Sequence, residues 1–312
     1  MPSVLTITLN PALDKSYLID HLVPDNKLRS PNPKIDPGGG GINVARGLYR
    51  LGVNPTAMYL AGGRNGSLLK DLLDTEGIHS HLVNISAETR ENITIMESST
   101  GKQYRIVPEG PIVDPLSADE LLKQLLSIQP RPEYVVASGS LPKGFPIDFF
   151  ARLAKVVKQA GIRCIVDTSG ESLRLAVNEG IYLVKPNLKE LAELSGAEQL
   201  ELDKVEEAAN LIIYQGKCEV VVVSLGASGA IMATKNGFHQ VPAPTVQRRS
   251  TVGAGDSMVA GMVWALDKGM TEADVLCAGV AAGTAATMNP GTELFKKDDV
   301  LRLMDWTLSR KH

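Results

Sequence analysis

The chain has 312 residues, 44% of them hydrophobic and 21% charged, with 32 Lys+Arg against 35 Asp+Glu and a net charge of −3. This composition fits a globular protein with a full core, built as one large α/β domain or as one domain with a small appendage. There is no global basic field, so nucleic acid is not an expected partner, and an anionic ligand must be met by a local group of cations.

Residues 4–9 are strand-like and have no basic flank ahead of them, so no signal peptide is expected. Segment 16–34 carries apolar residues with little helical spacing. Asp36-Pro37-Gly38-Gly39-Gly40-Gly41-Ile42-Asn43 then leads into a helix expected over 42–51. Consecutive glycines let a ligand reach the backbone at a helix start. A dinucleotide-binding loop would sit directly after the first strand and find an acidic residue after the second. Here the glycines come far beyond the first strand, and the second, 57–61, ends at Gly62-Gly63 without that acid.

From Asn43 onward, strand-like runs at 57–61, 134–138, 163–167, 182–185 and 220–225 alternate with helical spacings. Examples of the latter are Phe149/Leu153/Val156/Ala160 and Val205/Ala208/Ala209/Ile212. The alternation predicts an α/β fold with a mostly parallel, helix-flanked sheet. The four consecutive valines from Val220 have no polar face, as in a strand covered on both sides. Segments 92–97 and 103–107 read as a hairpin. With segment 16–34 they lack following helices, which suggests a separate small sheet over a cleft; edge strands of the main sheet would leave the same pattern.

Between Asp274 and Glu293 the chain is free of charge and rich in Ala, Gly and Thr, which predicts a buried helix rather than a membrane span. Cys164, Cys218 and Cys277 lie far apart and read as buried free thiols in a reducing compartment. The five histidines show no zinc-ligand spacing. The cytoplasm is the expected location.

Ser250-Thr251-Val252-Gly253-Ala254-Gly255-Asp256-Ser257-Met258 precedes a helix expected over 258–266. The amides of Ala254, Gly255 and Asp256 would lack intrahelical acceptors and form an anion site. A carboxylate beside a bound phosphate suits proton chemistry, although Asp256 also suits an ordinary N-cap. Asn187 and Glu190 offer oxygen ligands for a hydrated Mg2+ on a nucleotide; the same spacing is a frequent capping pattern. Ser224-Leu225-Gly226-Ala227-Ser228-Gly229 ends the valine strand with small residues that could receive a nucleotide. Lys27, Arg29 and Arg90 lie in or beside the small sheet and would serve a phosphorylated substrate, or are scattered surface cations. Asp14, just past the first strand, could bind sugar hydroxyls or cap a turn. These sites fall at the carboxyl ends of strands, where open α/β sheets bind ligands.

The glycine run with Asn43 and the 251–257 segment, with Asn187-x-x-Glu190 between them, resemble the signatures of the PfkB/ribokinase family of carbohydrate kinases over essentially the whole chain. The closer match is to the branch that acts on fructose 6-phosphate. It is carried by Lys27-Leu28-Arg29, Pro37 to Arg46, Thr89-Arg90, Gln103-Tyr104-Arg105 and Gly139-Ser140-Leu141-Pro142. The resemblance implies a single ribokinase-like domain over 1–312, with lid strands at about 15–35 and 88–110, and a homodimer paired through the lid.

The resemblance also implies residue roles. Asp256 would take the proton of the C1 hydroxyl, and the amides of Gly253, Ala254, Gly255 and Asp256 would stabilise the transferring phosphoryl group of ATP. Asn187 and Glu190 would hold Mg2+ through water, while Lys185, Asn187, Ser224, Gly226 and Gly229 would line the ATP site. Asp14, Gly38, Gly39, Asn43 and Ser140 would contact the sugar, and Lys27, Arg29 and Arg90 its 6-phosphate. Ser250, Val252, Ala286, Asn289 and Gly291 match a K+ site formed partly by backbone carbonyls. Two departures stand out. Relatives acting on fructose 1-phosphate carry lysine where this chain has Gly40, and close relatives carry arginine where it has Glu293. Tagatose 6-phosphate and fructose 1-phosphate remain alternative substrates. A sugar-phosphate-binding regulator without catalysis is the alternative from another class, and the retained Asp256 with its glycines argues against it.

Overall fold

Short β-branched runs form the strands and amphipathic segments the helices. The computed structural model describes residues 4–311; the ends of the expected 1–312 domain lie outside them. The first half contains β1 (Val4–Thr8), β2 (Ala12–Ile19), β3 (Lys34–Gly38), α1 (Gly40–Arg50), β4 (Thr56–Ala61), α2 (Gly63–Thr75), β5 (His79–Asn84), β6 (Arg90–Glu97), β7 (Gln103–Ile106), α3 (Leu116–Ser127) and β8 (Tyr134–Ser138). There follow α4 (Phe149–Gln159), β9 (Arg163–Asp167), α5 (Gly170–Glu179), β10 (Ile181–Val184), α6 (Leu188–Ser195), α7 (Val205–Tyr214), β11 (Cys218–Ser224), β12 (Ala230–Thr234), β13 (Gly237–Val241), α8 (Ala254–Asp267), α9 (Glu272–Thr287) and α10 (Lys297–Leu308).

The main sheet has nine strands in the order β13-β12-β11-β10-β9-β8-β1-β4-β5. It is parallel except where β12 pairs with β11 and β13. Helices α3 to α7 cover one face, and α1, α8, α9 and α10 the other. The valines of β11 are buried between the two layers. Strands added after β4 and after β8 run outward in opposite directions from β1, so the crevice at the β1/β8 carboxyl ends is the topological switch point.

The strands β3-β2-β6-β7 form a second, four-stranded sheet. They are therefore not edge strands of the main sheet. β2 leaves the carboxyl end of β1 and β3 returns to the start of α1, which stands this sheet at the rim of the crevice.

The charge-free stretch is mostly α9, and its small residues explain its burial. A Cβ at Gly261 of α8 would lie 2.4 Å from the Ala278 carbonyl oxygen, so the two helices meet nearly backbone to backbone. Among the described residues no helix is long and apolar enough to cross a membrane. All three cysteines are free and buried, and among the described residues no group of three or more His, Cys, Asp or Glu side chains is placed to hold a metal.

Three local expectations need correction. α8 starts at Ala254 rather than Met258, because Gly253 caps it in the left-handed region (φ 70°) and the small residues that follow join the helix. Asp14 lies within a strand, β2, and caps no turn. Segment 16–34 is strand only at its ends, in β2 and β3, with an exposed connection between them.

Candidate active site

Three glycine contacts explain how the chain builds the crevice. A Cβ at Gly39 (φ 120°) would lie 2.6 Å from Thr8 Cγ2, and one at Gly41 would lie 2.3 Å from the Ile7 carbonyl oxygen. At Gly40 it would meet Ser138 Oγ at 2.3 Å. Only glycine lets α1 begin against the carboxyl ends of β1 and β8, and this start aims Asn43 across the crevice at α8.

Asn43 Nδ2 donates to Asp256 Oδ2 at 2.8 Å, and Ser138 Oγ donates to Oδ1 at 3.4 Å. Asp256 lies in the first turn of α8, and the first helical bond there runs from the Ser257 amide to the Gly253 carbonyl. The amides of Gly255 and Asp256 thus precede any intrahelical acceptor. Burial pushes the Asp256 carboxyl up to about 6, with help from the Asp167 charge and against the Asn43 bond, Lys185 and Ser138. A carboxylate that titrates there is suited to accept a proton near neutral pH.

Lys185 is buried, and its Nζ lies 3.2 Å from Asp167 Oδ1. Burial pulls its pKa down, but Asp167 and Asp256 outweigh burial and hold the ammonium above the usual lysine value. It stays a cation. Asp167, Ser138 and Asn92 belong to the site, yet no motif in the sequence marks them. Asp167 does carry one signal, as a carboxylate ending a strand at the ligand-binding edge.

Beyond the anion turn lies a cavity of about 580 Å³, lined by Ser224, Gly226, Gly229, Arg248, Ala254 and Gly255 among others. That volume is ordinary for a small-molecule site. Lys185 Nζ reaches its edge, 3.6 Å from where a Cβ of Gly255 would stand, and Asn187 pairs with Ser224 in an isolated bridge. Asn187 and Glu190 form a capping box: each backbone amide donates to the other side chain at 2.9 Å. The capping pattern is therefore real. Glu190 Oε1 is left over, so the pair still fits a hydrated Mg2+ brought in by phosphates.

On the other side of Asp256, Asp14 pairs in register with Asp36 of β3 and Asn92 of β6. Asn92 Nδ2 donates to Asp14 Oδ1 at 2.7 Å. A side chain at Gly38 would collide with the Asp14 carboxylate (2.3 Å from Oδ2), so Gly38 makes its room. Burial raises the Asp14 carboxyl, and the Asn92 bond and the Arg105 charge temper the rise. Arg90 donates to the Pro108 and Asn10 carbonyls at 2.8 and 2.9 Å. Its buried Nε has no partner, and neither have Asn10 Oδ1 and Asn92 Oδ1. Unpaired buried groups of this kind are costly unless a ligand satisfies them. Ser140 is exposed and accepts from Asn10 Nδ2 at 3.3 Å. Lys27 and Arg29 lie in the exposed connection 20–33, and among the described residues neither meets a carboxylate in an ion pair.

The residues expected around K+ converge behind the anion turn. Ser250 Oγ donates to the Gly291 carbonyl at 2.8 Å and accepts from the Val252 amide at 3.2 Å. The Asn289 amide donates to the Ala286 carbonyl at 3.2 Å. An uncharged set of hydroxyl and carbonyl oxygens fits a monovalent cation better than a transition metal. Glu293 is one of the carboxylates that offset the burial-driven lowering of Arg50 on α1.

The family profile described as pfkB family carbohydrate kinase matches residues 5–298. The chain is 41% identical over 304 residues to ATP-dependent 6-phosphofructokinase isozyme 2 of Escherichia coli K12, covering 97% of this chain and 98% of that one. It is 31% identical over 312 residues to a tagatose-6-phosphate kinase of Staphylococcus epidermidis, covering 96% and 100%. Two solved structures of Escherichia coli phosphofructokinase-2 superpose over 99% of this chain and 100% of theirs. The potassium complex gives a TM-score of 0.93 at 41% identity, and the fructose-6-phosphate complex 0.92 at 39%. The fold is thus ribokinase-like.

Proposed function

The chain belongs to the pfkB family of carbohydrate kinases, and from that premise we propose that it transfers the γ-phosphoryl group of ATP to the C1 hydroxyl of fructose 6-phosphate, giving fructose 1,6-bisphosphate and ADP. The observation that carries this reading is the placement of Asp256. Its carboxylate is fixed by Asn43 and Ser138 at the free amides of α8, between the nucleotide-sized cavity and the Asp14 side of the crevice.

Asp256 takes the C1 proton as the sugar oxygen bonds to phosphorus and the bond to the ADP oxygen breaks. The Gly253, Gly255 and Asp256 amides and Lys185 meet charge on the transferring group, which is where preorganised donors contribute most. The Ala254 amide, expected to be free, instead donates to the Thr251 carbonyl at 3.3 Å. Asp14, Gly38, Gly39, Asn43 and Ser140 orient the sugar. Arg90, its two terminal nitrogens set by the Pro108 and Asn10 carbonyls, presents its charge to the 6-phosphate, and Lys27 and Arg29 reach it from the lid connection. Ser224, Gly226 and Gly229 line the nucleotide site with Asn187. Asn187 and Glu190 hold Mg2+ through water; the ion neutralises phosphate charge when bound. Ser250, Val252, Ala286, Asn289 and Gly291 hold K+ behind the anion turn.

The chain acts as one domain with its lid, in the cytoplasm. Leu18, Tyr104, Ile106 and Val107 are exposed on the lid and its exit, which supports a homodimer paired through that sheet.

Turnover of fructose 6-phosphate, tagatose 6-phosphate and fructose 1-phosphate under one ADP-release assay tests the substrate. The highest kcat/KM is expected for fructose 6-phosphate. Equal or better use of fructose 1-phosphate would overturn the assignment.

A further inference from the structure

The loop between α9 and α10 carries Asn289 and Gly291 of the cation site, and it also touches the lid. Thr292 Oγ1 donates to Asp36 Oδ2 at 3.4 Å, and both residues are buried. A Cβ at Gly291 would stand 3.6 Å from Ser16 Oγ on β2 and 4.0 Å from Met96 Sδ on β6. The lid strands therefore rest on this loop. On its other side the loop is tied to the segment before the anion turn, through the Ser250 bond to the Gly291 carbonyl.

Asp36 is not free to absorb a movement of Thr292. Arg46, only 2% exposed, lies 3.5 Å from Asp36 Oδ1. Its guanidinium forks onto Glu76, just past α2, at 2.8 and 2.6 Å and donates to the Pro37 carbonyl at 3.0 Å. Arg46 is buried while Glu76 is about a third exposed, and a bidentate pair with a further bond to a carbonyl holds the guanidinium in place. Pro37 is followed by Gly38 and Gly39, and Asp36 faces Asp14 in register. A shift of the loop is thus delivered to the backbone that lines the sugar side of the crevice.

We infer, taking the cation and sugar assignments above as given, that Asp36 and Thr292 link the two sites, so that K+ tightens sugar-phosphate binding by a route separate from the anion turn. Both are positioning residues. Linkage requires that the sugar tighten K+ by the same factor.

The test is calorimetric titration of fructose 6-phosphate into the full chain without nucleotide, in K+ and in tetramethylammonium buffers of equal ionic strength. K+ should lower Kd roughly fivefold or more, the low end of usual coupling. Thr292→Val keeps the shape and loses the hydroxyl, and should bring that factor to about one, with Thr292→Ser restoring it. The effect of K+ on binding of a non-hydrolysable ATP analogue should survive in Thr292→Val. Full K+ dependence of sugar binding in Thr292→Val would overturn the link. So would a sugar Kd indifferent to K+ in the unaltered chain. In that case, K+-dependent analogue binding would leave the cation site standing, and indifference of both ligands would remove it as well.

Discussion

Replacing Asp167 by asparagine should move the acid limb of the pH–rate profile without abolishing it. The Asp256 carboxyl titrates at about 6, held up first by burial and next by the Asp167 charge. A base must be deprotonated to work, so kcat/KM for the sugar should rise with pH, reach half its plateau near 6, and stand near a tenth of it about one pH unit lower. Asp167→Asn removes one of the two influences that raise Asp256 and leaves Lys185, which opposes them, in place. The limb should therefore move to lower pH, and a move of about one pH unit would correspond to about 1.4 kcal/mol of removed repulsion. Product formed at fixed times, with saturating ATP and constant ionic strength from about pH 5 to 8, reads the limb without coupling enzymes. The plateau will fall too, because Asp167 is the ion-pair partner of Lys185; the position of the limb is the readout. A limb that stays put or moves upward would show that the Asp167 charge does not set the basicity of Asp256.

Lys185→Met should move the same limb to higher pH, since it removes a cation that stabilises the Asp256 carboxylate; a downward shift would contradict that. Gly41→Ala should cost about 1–3 kcal/mol or more in a urea melt, as overpacking against backbone does, because its Cβ would meet the Ile7 carbonyl oxygen at 2.3 Å. An unchanged midpoint would mean that the glycine run is not held where described. Arg90→Ala should raise KM for the sugar phosphate roughly 10- to 150-fold, the value of a hydrogen bond to a charged group, with KM for ATP little changed. Equal effects on both substrates would count against the phosphate placement.

Much of the architecture is legible in the chain because it rests on local patterns. The unbroken valines of β11 announce a doubly covered strand, and the Ala/Gly composition of α9 announces close helix packing. The strand β5 is less legible, since its two histidines and half-exposed face mark a polar edge. β12 and β13 are hidden because they form a hairpin with no intervening helix, against the rhythm of the rest. At the site, Asp256 and Asn43 stand out because the glycines around them mark backbone that something must approach closely. Their mutual bond spans 213 positions, and no local pattern reports such a partner. Ser138, Asp167 and Asn92 are ordinary residues at or near strand ends, and only the sheet order brings them to Asp256 and Asp14. Asn187 and Glu190 show the opposite case, in which a capping pattern and a metal-ligand pattern fall on the same two residues.

Turnover of Asp256→Asn is the most decisive single observation. The amide keeps the shape of the carboxylate and retains an oxygen that can accept from Asn43, so nucleotide affinity should stay within about twofold while kcat falls by ~10²–10⁴, the range for a lost general base. Near-normal kcat in that variant would show that the proton of the sugar alcohol leaves by another route.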